Sequence, residues 1–141
     1  MFGRSAAPPE VVWRLLVDAT AWSRWSRIPN AEREREGTPP PDGVGSIRRL
    51  GPPGFASREE VVAFEPVRHF AYILLSGLPV RDYRADVELS PDGDGTLITW
   101  RARVTPKWRG TGVLLEQFLR GTLTSFARGL ARHAAAATST Q

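Results

Sequence analysis

The pattern of hydrophobic and polar positions is clearest in two segments of the second half of the chain. In both, apolar side chains occupy every second position, with charged or polar ones between them. This period of two is that of a β-strand with one buried face, and the intervening Asp-Gly pairs at 92–95 predict a hairpin turn. The apolar positions are Tyr83, Ala85, Val87 and Leu89 in the first segment and Ile98, Trp100, Ala102 and Val104 in the second.

Turn residues divide the rest of the chain into further short segments. Gly-Pro-Pro-Gly at 51–54, Glu65-Pro66 and Gly77-Leu78-Pro79 each separate two apolar stretches. The predicted strands cover residues 2–6, 31–36, 44–50, 56–64, 68–76, 80–89 and 96–104, and two short helices cover residues 7–18 and 19–25.

The stretch 110–137 is the one long segment with helical periodicity. Gly121 and Gly129 inside it each cost about 1 kcal/mol relative to alanine, so packing must hold this helix. Close approach of a sheet would explain the two glycines, and so would room for a bound molecule. The predicted inward stripe comprises Leu115, Phe118, Leu119, Thr122, Phe126, Leu130 and His133.

Together these elements predict an α+β fold. An antiparallel sheet of about six to seven strands has one dry face, and the apolar stripe of the terminal helix can cover it. No repeat and no linker between structured segments divides the sequence, so residues 1–141 are expected to form a single domain.

Composition narrows the possible functions. The absence of cysteine excludes disulfides, thiolate metal sites and cysteine nucleophiles. The net charge is +4, but basic residues are scattered and interleaved with acids, so nucleic acid is not an expected partner. No signal peptide and no apolar stretch of about 20 residues is present, so we expect a cytoplasmic protein without stable membrane insertion.

Signatures of known catalytic chemistry are also missing. His69 and His133 are the only histidines, and their spacing fits neither a metal site nor a serine–histidine–acid triad. Gly43-Val44-Gly45 lacks the residues that complete a phosphate-binding loop. The sequence therefore predicts no metal and no cofactor. His69 is expected to be exposed, and His133 to complement the dipole of the terminal helix.

The order of the segments resembles the START-like superfamily, also called SRPBCC, and within it the polyketide cyclase/dehydrase and lipid-transport group. This resemblance implies a helix-grip (START/Bet v 1-like) fold, in which a curved sheet wraps a long C-terminal helix around a cavity. The segments that carry it are APPEVVWRLLVD and AWSRW at 7–25, GVGSIRRL at 43–50, REEVVAFEP and HFAY at 58–72, GLPVRDYRADVEL at 77–89, GTLITW at 95–100 and GTGVLL at 110–115.

Polar residues on the inner face are the candidate catalytic groups. In the resembling family, the positions of Arg48 and Glu59 are often Arg and Glu, and neighbouring strands could join them as a buried ion pair. Alternatively, Arg48 orients a ligand carbonyl or carboxylate, and Glu59 acts as a base if burial raises its pKa. Strand parity also allows Glu60 in place of Glu59. Tyr72 could protonate or fix a carbonyl oxygen, or simply pack in the core.

Two functions follow from this arrangement, and the sequence leaves both open. The first is binding of a small hydrophobic molecule, such as a lipid or polyketide-like compound, between sheet and helix. The second is a cofactor-independent cyclase or dehydratase acting by general acid–base chemistry. An interaction module that uses the charged outer sheet face is a third possibility, and a homodimer is possible. The expected ligand contacts are Trp25, Tyr72, Tyr83, Trp100, Phe118 and Phe126.

Overall fold

The computed structural model describes residues 1–106 and 109–139 and has the predicted α+β architecture. Strands and helices follow the predicted order, with a 3-10 turn at Ala19–Ala21 between the first two helices. The strands are β1 (Phe2–Ser5), β2 (Ala31–Arg35), β3 (Ile47–Leu50), β4 (Ser57–Glu65), β5 (His69–Ser76), β6 (Val80–Asp92) and β7 (Gly95–Pro106), and the helices are α1 (Pro9–Val17), α2 (Trp22–Trp25) and α3 (Gly112–Ser139).

All seven strands form one antiparallel sheet in the order β1-β7-β6-β5-β4-β3-β2. The alternation read from the sequence is confirmed, because Tyr83, Val87 and Trp100 are buried on the face that α3 covers. Gly93 adopts a φ of 59° in the β6–β7 turn, as the Asp-Gly pattern predicts.

The two short helices are tied to each other by tryptophan side chains. Pro9 occupies the first turn of α1, where a missing N–H costs no hydrogen bond. The indole of Trp22 donates to the carbonyl of Leu16 at 2.8 Å, and that of Trp25 donates to the carbonyl of Leu15 at 3.1 Å. These bonds hold both indoles against the inner face of the sheet.

The buried stripe of α3 differs from the predicted one. Phe118 was expected to face the sheet, but it is 57% exposed. The reason lies in β1, which passes so close to the helix that a Cβ on Gly3 would lie 2.6 Å from the carbonyl oxygen of Ala127. Small side chains are required at this contact, which turns the bulky aromatic outward. The buried positions of α3 are Leu119, Leu123, Ala127, Gly129, Leu130, Ala131 and Ala134.

One strand boundary also differs from its prediction. Strand β3 begins at Ile47 and not at Val44, because Gly45 adopts a φ of 92° that a strand cannot continue. Val44 instead makes a single bridge to Thr38 across the proline-containing loop. Residues 38–41 of this loop are exposed, whereas Asp42 and Gly43 are buried.

No described helix has the length and apolar character needed to cross a lipid bilayer.

Candidate functional site

Arg48 lies on the inner face of β3 and is 1% exposed. It pairs across the strands with Glu59, as parity allows, but the two side chains form no ion pair within the described part of the chain. Its guanidinium instead donates to Asp42 at 3.1 Å and to the carbonyl of Val17 at 2.8 Å, and it stacks over the Phe70 ring at 5.4 Å. The predicted Arg48–Glu59 ion pair is therefore wrong, because a loop carboxylate takes the place of the strand carboxylate.

Asp42 is the partner of Arg48 that sequence reasoning missed. It lies in the loop between β2 and β3 and is only 6% exposed. Besides Arg48, its carboxylate accepts hydrogen bonds from Arg33 at 3.0 Å and from the backbone N–H of Ala19 at 3.3 Å. Strand parity could not reveal this partner, since parity relates only residues within strands. The loop is fixed to the inner end of the sheet by this carboxylate.

Glu59 is buried on β4, whereas Glu60 lies on the other face and contacts Arg35 at 3.6 Å. The ambiguity between them is thereby resolved in favour of Glu59. No described side chain donates a hydrogen bond to its carboxyl group. Burial raises the pKa of Glu59 to about 8, although the positive charge of Arg48 opposes the shift. At neutral pH a carboxyl group with this pKa is largely protonated and can donate a hydrogen bond.

Tyr72 and Tyr83 lie next to this carboxyl group on the inner face. Their ring centroids are 6.4 Å apart, and the Tyr72 hydroxyl accepts a hydrogen bond from the Trp100 indole at 3.3 Å. Burial raises the pKa of both phenols, and the nearby Glu59 charge acts in the same direction. Both tyrosines are therefore neutral hydroxyl donors at physiological pH.

Three of the predicted aromatic ligand contacts pack against one another. Trp25, Trp100 and Phe126 contact one another, with ring centroids 5.6 to 6.1 Å apart, and Trp22 completes the cluster. These rings fill the space between the middle of the sheet and α3, where a cavity was expected. Trp100 is fully buried by its neighbours.

Open space occurs instead beside the first half of α3. A groove of about 660 Å³ separates the end of β7 from this part of the helix. Its sheet wall continues the inner face, because Ala102 lies in one row with Ala85 and Tyr72. The groove is lined mostly by apolar side chains, including Met1, Ala102, Val104, Pro106, Leu115, Leu119 and Leu123.

Phe118 lies at a second opening close to this groove. A pocket of about 290 Å³ lies between the β5–β6 turn and the start of α3, and Leu115 lines both spaces. Leu78, Leu114 and Phe118 form its apolar wall. Phe118 therefore does not lie in the sheet–helix interface. It lines this second, apolar pocket instead.

The two histidines lie outside this site. His69 bridges two carboxylates on the outer face, with Nε2 2.8 Å from Asp86 and Nδ1 3.2 Å from Glu65. Partial burial lowers its pKa, but these hydrogen bonds outweigh it, and the net result is a raised pKa. It is half-buried in this network, whereas the sequence predicted free exposure. Among the described residues, no three His, Asp or Glu side chains converge on a possible metal position.

Comparison with known families agrees with this geometry. A family model described as "Polyketide cyclase / dehydrase and lipid transport" matches residues 4–135. The chain belongs to this family. The polyketide cyclase/dehydrase and lipid transport family has a fold consistent with hydrophobic ligand binding. A comparison with curated proteins found no significant match.

Solved structures of other proteins share this fold. A START superfamily protein from Mycobacterium smegmatis has a TM-score of 0.80 at 18% identity, covering 95% of this chain and 94% of its own. A Thermobifida fusca protein gives 0.74 at 23% identity, covering 94% and 91%. Ara h 8.0201 gives 0.71 at 12% identity, covering 95% and 94%. At such identities the similarity establishes the fold alone.

Proposed function

We propose that the protein binds a small hydrophobic molecule, lipid or polyketide-like, in the groove between β7 and the first half of α3. The observation that carries this proposal is the groove itself, whose volume of about 660 Å³ lies in the range of small-molecule sites. Ala102 and Val104 form one wall and Leu115 and Leu119 the other. Burial of an apolar ligand there gains about 25 cal/mol per Å² of surface removed from water.

The polar groups on the inner face favour a ligand that carries a carbonyl or hydroxyl group. The phenols do not line the groove, but Ala102 continues the row that contains Tyr72, so a ligand that extended past Ala85 along the inner face would reach them. Protonated Glu59 and neutral Tyr72 and Tyr83 can donate hydrogen bonds to a ligand oxygen. A molecule with an apolar body and one polar end fits this arrangement best.

Binding of a neutral fluorescent probe, N-phenyl-1-naphthylamine, tests the proposal. Ala102→Phe adds a ring inside the groove and is expected to abolish probe binding. Thr105→Phe adds the same ring on the exposed face of the same strand and serves as the matched control. Equal probe binding by both variants would refute the groove as the site. Native mass spectrometry of protein from its own host would identify a co-purifying ligand.

A second function, cyclase or dehydratase chemistry, is favoured by the environment of Glu59. As an enol carbon of the ligand attacks a carbonyl carbon, a carboxyl group with a pKa of about 8 can protonate the carbonyl oxygen at neutral pH, while Tyr72 donates a hydrogen bond to that oxygen. A carbon–carbon bond and a hydroxyl group form, and the enol proton returns to the Glu59 carboxylate. Elimination of water would then break the C–O bond as Glu59 protonates the leaving hydroxyl, and the proton of the neighbouring C–H bond would return to the Glu59 carboxylate. Arg48 holds this region in place through Asp42 and acts as a positioning residue.

The compound that co-purifies can distinguish a carrier from an enzyme. If it is turned over, Glu59→Gln should abolish turnover but leave probe affinity unchanged, because glutamine keeps the shape and loses the proton. Tyr83→Phe, which removes one hydroxyl group from the same face, is the matched control variant. Turnover that persists in Glu59→Gln would exclude the acid role.

A further inference from the structure

A cleft lined by arginines runs across the outward side of α3 and adjoins the proposed ligand groove at Arg120. Its volume is about 840 Å³, and β1 forms its other edge. We refer to it as the arginine cleft. The sequence indicated scattered basic residues, but folding brings five of them to this cleft. They are Arg4, Arg27, Arg120, Arg128 and Arg132.

The positive charge of the arginine cleft is only partly neutralised. Arg4 contacts Asp92 at 2.8 Å and Arg120 contacts Glu116 at 3.3 Å. The other three arginines have no acidic partner among the described residues. An uncompensated cluster of this kind attracts anions, and arginine forks bind phosphate oxygens in pairs.

Gly121 lines the arginine cleft, and no steric contact in the fold requires a glycine there. A Cβ at this position would meet no atom within 4 Å, whereas a Cβ on Gly129 would lie 2.3 Å from the Trp25 carbonyl oxygen. Gly129 is therefore explained by packing, and Gly121 is not. A helix-interior glycine that faces solvent leaves a notch in the surface, flanked here by the hydroxyl groups of Thr124 and Ser125.

Exposed apolar side chains precede the cleft on the same helix. Val113, Leu114 and Phe118 are 68%, 69% and 57% exposed. Helical spacing continues this apolar end directly into the cleft, because residues three or four apart share a face. The resulting stripe runs through Leu114, Phe118, Gly121, Ser125, Arg128 and Arg132.

We propose that this outward face of α3 docks on the surface of an anionic phospholipid membrane. The unpaired arginines bind lipid phosphates, a head group enters the notch at Gly121, and Leu114 and Phe118 enter the boundary of the acyl chains. The surface of an anionic bilayer presents negatively charged phosphates next to an apolar acyl-chain region. A nucleic-acid backbone presents negatively charged phosphates without such an apolar region. This inference goes beyond ligand binding in the groove, since the arginine cleft contains none of the apolar groove wall.

Co-sedimentation with phosphatidylcholine vesicles, with and without phosphatidylglycerol, tests the proposal. We expect binding to the anionic vesicles that weakens as salt is raised. Each arginine near such a surface contributes roughly fivefold to the partition coefficient, so the triple variant Arg27→Gln/Arg128→Gln/Arg132→Gln should bind on the order of a hundredfold more weakly. Phe118→Ser should weaken vesicle binding separately.

A charge-matched control separates docking from general attraction. Arg49→Gln/Arg68→Gln/Arg101→Gln removes the same net charge from residues that are paired with acids away from α3. It should lose much less vesicle affinity than the arginine-cleft variant. Equal losses in the two triple variants, or no binding of the natural protein to anionic vesicles, would overturn the proposal.

Binding to duplex DNA is the alternative that the same variants test. DNA binding that depends on the three unpaired arginines, without vesicle binding, would identify a nucleic acid as the occupant and overturn membrane docking. Because the ligand-free protein is used throughout, failure of vesicle binding leaves the groove proposal intact. Loss of N-phenyl-1-naphthylamine binding in Ala102→Phe likewise leaves the docking proposal intact.

Discussion

Replacement of Glu59 by glutamine should stabilise the protein in a pH-dependent way. Glu59 is 8% exposed, has no described hydrogen-bond donor, and burial raises its pKa to about 8. The folded state therefore holds a proton on this group over a pH range in which the unfolded chain has released it. Glutamine is nearly isosteric and carries no charge at any pH, so the variant loses this dependence.

The size of the effect follows from proton linkage. Between the ordinary value of 4.5 and the folded value of about 8, the folded state binds more protons than the unfolded state. Stability then falls as the pH rises, by about 1.4 kcal/mol per pH unit. The full loss is reached above the folded pKa and amounts to about 5 kcal/mol. Below the unfolded pKa there is no loss.

Urea unfolding followed by tryptophan fluorescence measures this difference. At about pH 4.5 Glu59→Gln and the natural protein should unfold at nearly the same midpoint, and by about pH 9 the variant should be more stable by several kcal/mol. Subtracting the unfolding free energy of the natural protein from that of the variant at each pH removes the contribution of all other titrating groups. A difference that does not change with pH would refute the inferred burial of an unpartnered carboxyl group. Glu60→Gln, on the outer face, is the matched control for the substitution itself.

Three further predictions concern the buried ion pair, the two helix glycines and the outer-face histidine. Asp42→Asn should leave Arg48 buried without a counter-charge and cost about 3–5 kcal/mol in urea unfolding; an unchanged midpoint would contradict the pairing. In thermal unfolding, Gly121→Ala should stabilise α3 by up to about 1 kcal/mol, whereas Gly129→Ala should destabilise it by about 1–3 kcal/mol; shifts of the same sign would refute the assigned environments. The raised pKa of His69 contributes stability below about pH 6.5 that disappears as the pH rises through the folded value, so His69→Gln should lower the melting temperature in acid more than in alkali.

Local pattern was sufficient to predict most of the sheet. Strands β6 and β7 alternate with a strict period of two, so their inner residues, such as Tyr83 and Trp100, could be assigned directly. The α3 stripe was harder to predict because its inward contact with β1 uses small side chains. Ala127 contributes little to an apolar pattern, while the outward-facing Phe118 contributes much.

The candidate site was predictable only where it lies on strands. Register aligns Arg48 with Glu59, which parity had suggested. The true partner of Arg48 is Asp42, whose loop carries a polar and proline-rich sequence typical of an exposed segment. Ring packing of Trp25 against Phe126 likewise depends on distances that no periodicity encodes. Contacts distant in sequence therefore decide where the open space lies.

The pairing of β1 with β7 has a consequence for synthesis of the protein. Phe2 aligns with Thr99, so the first strand has no sheet partner until most of the chain has left the ribosome. Contacts with such large sequence separation slow folding, and an unpaired strand exposes backbone groups that can associate with other chains. We therefore expect the β6–β7 hairpin to form first and the pairing of β1 with β7 to form last. The nascent chain should therefore bind chaperones mainly between the synthesis of β1 and the synthesis of β7.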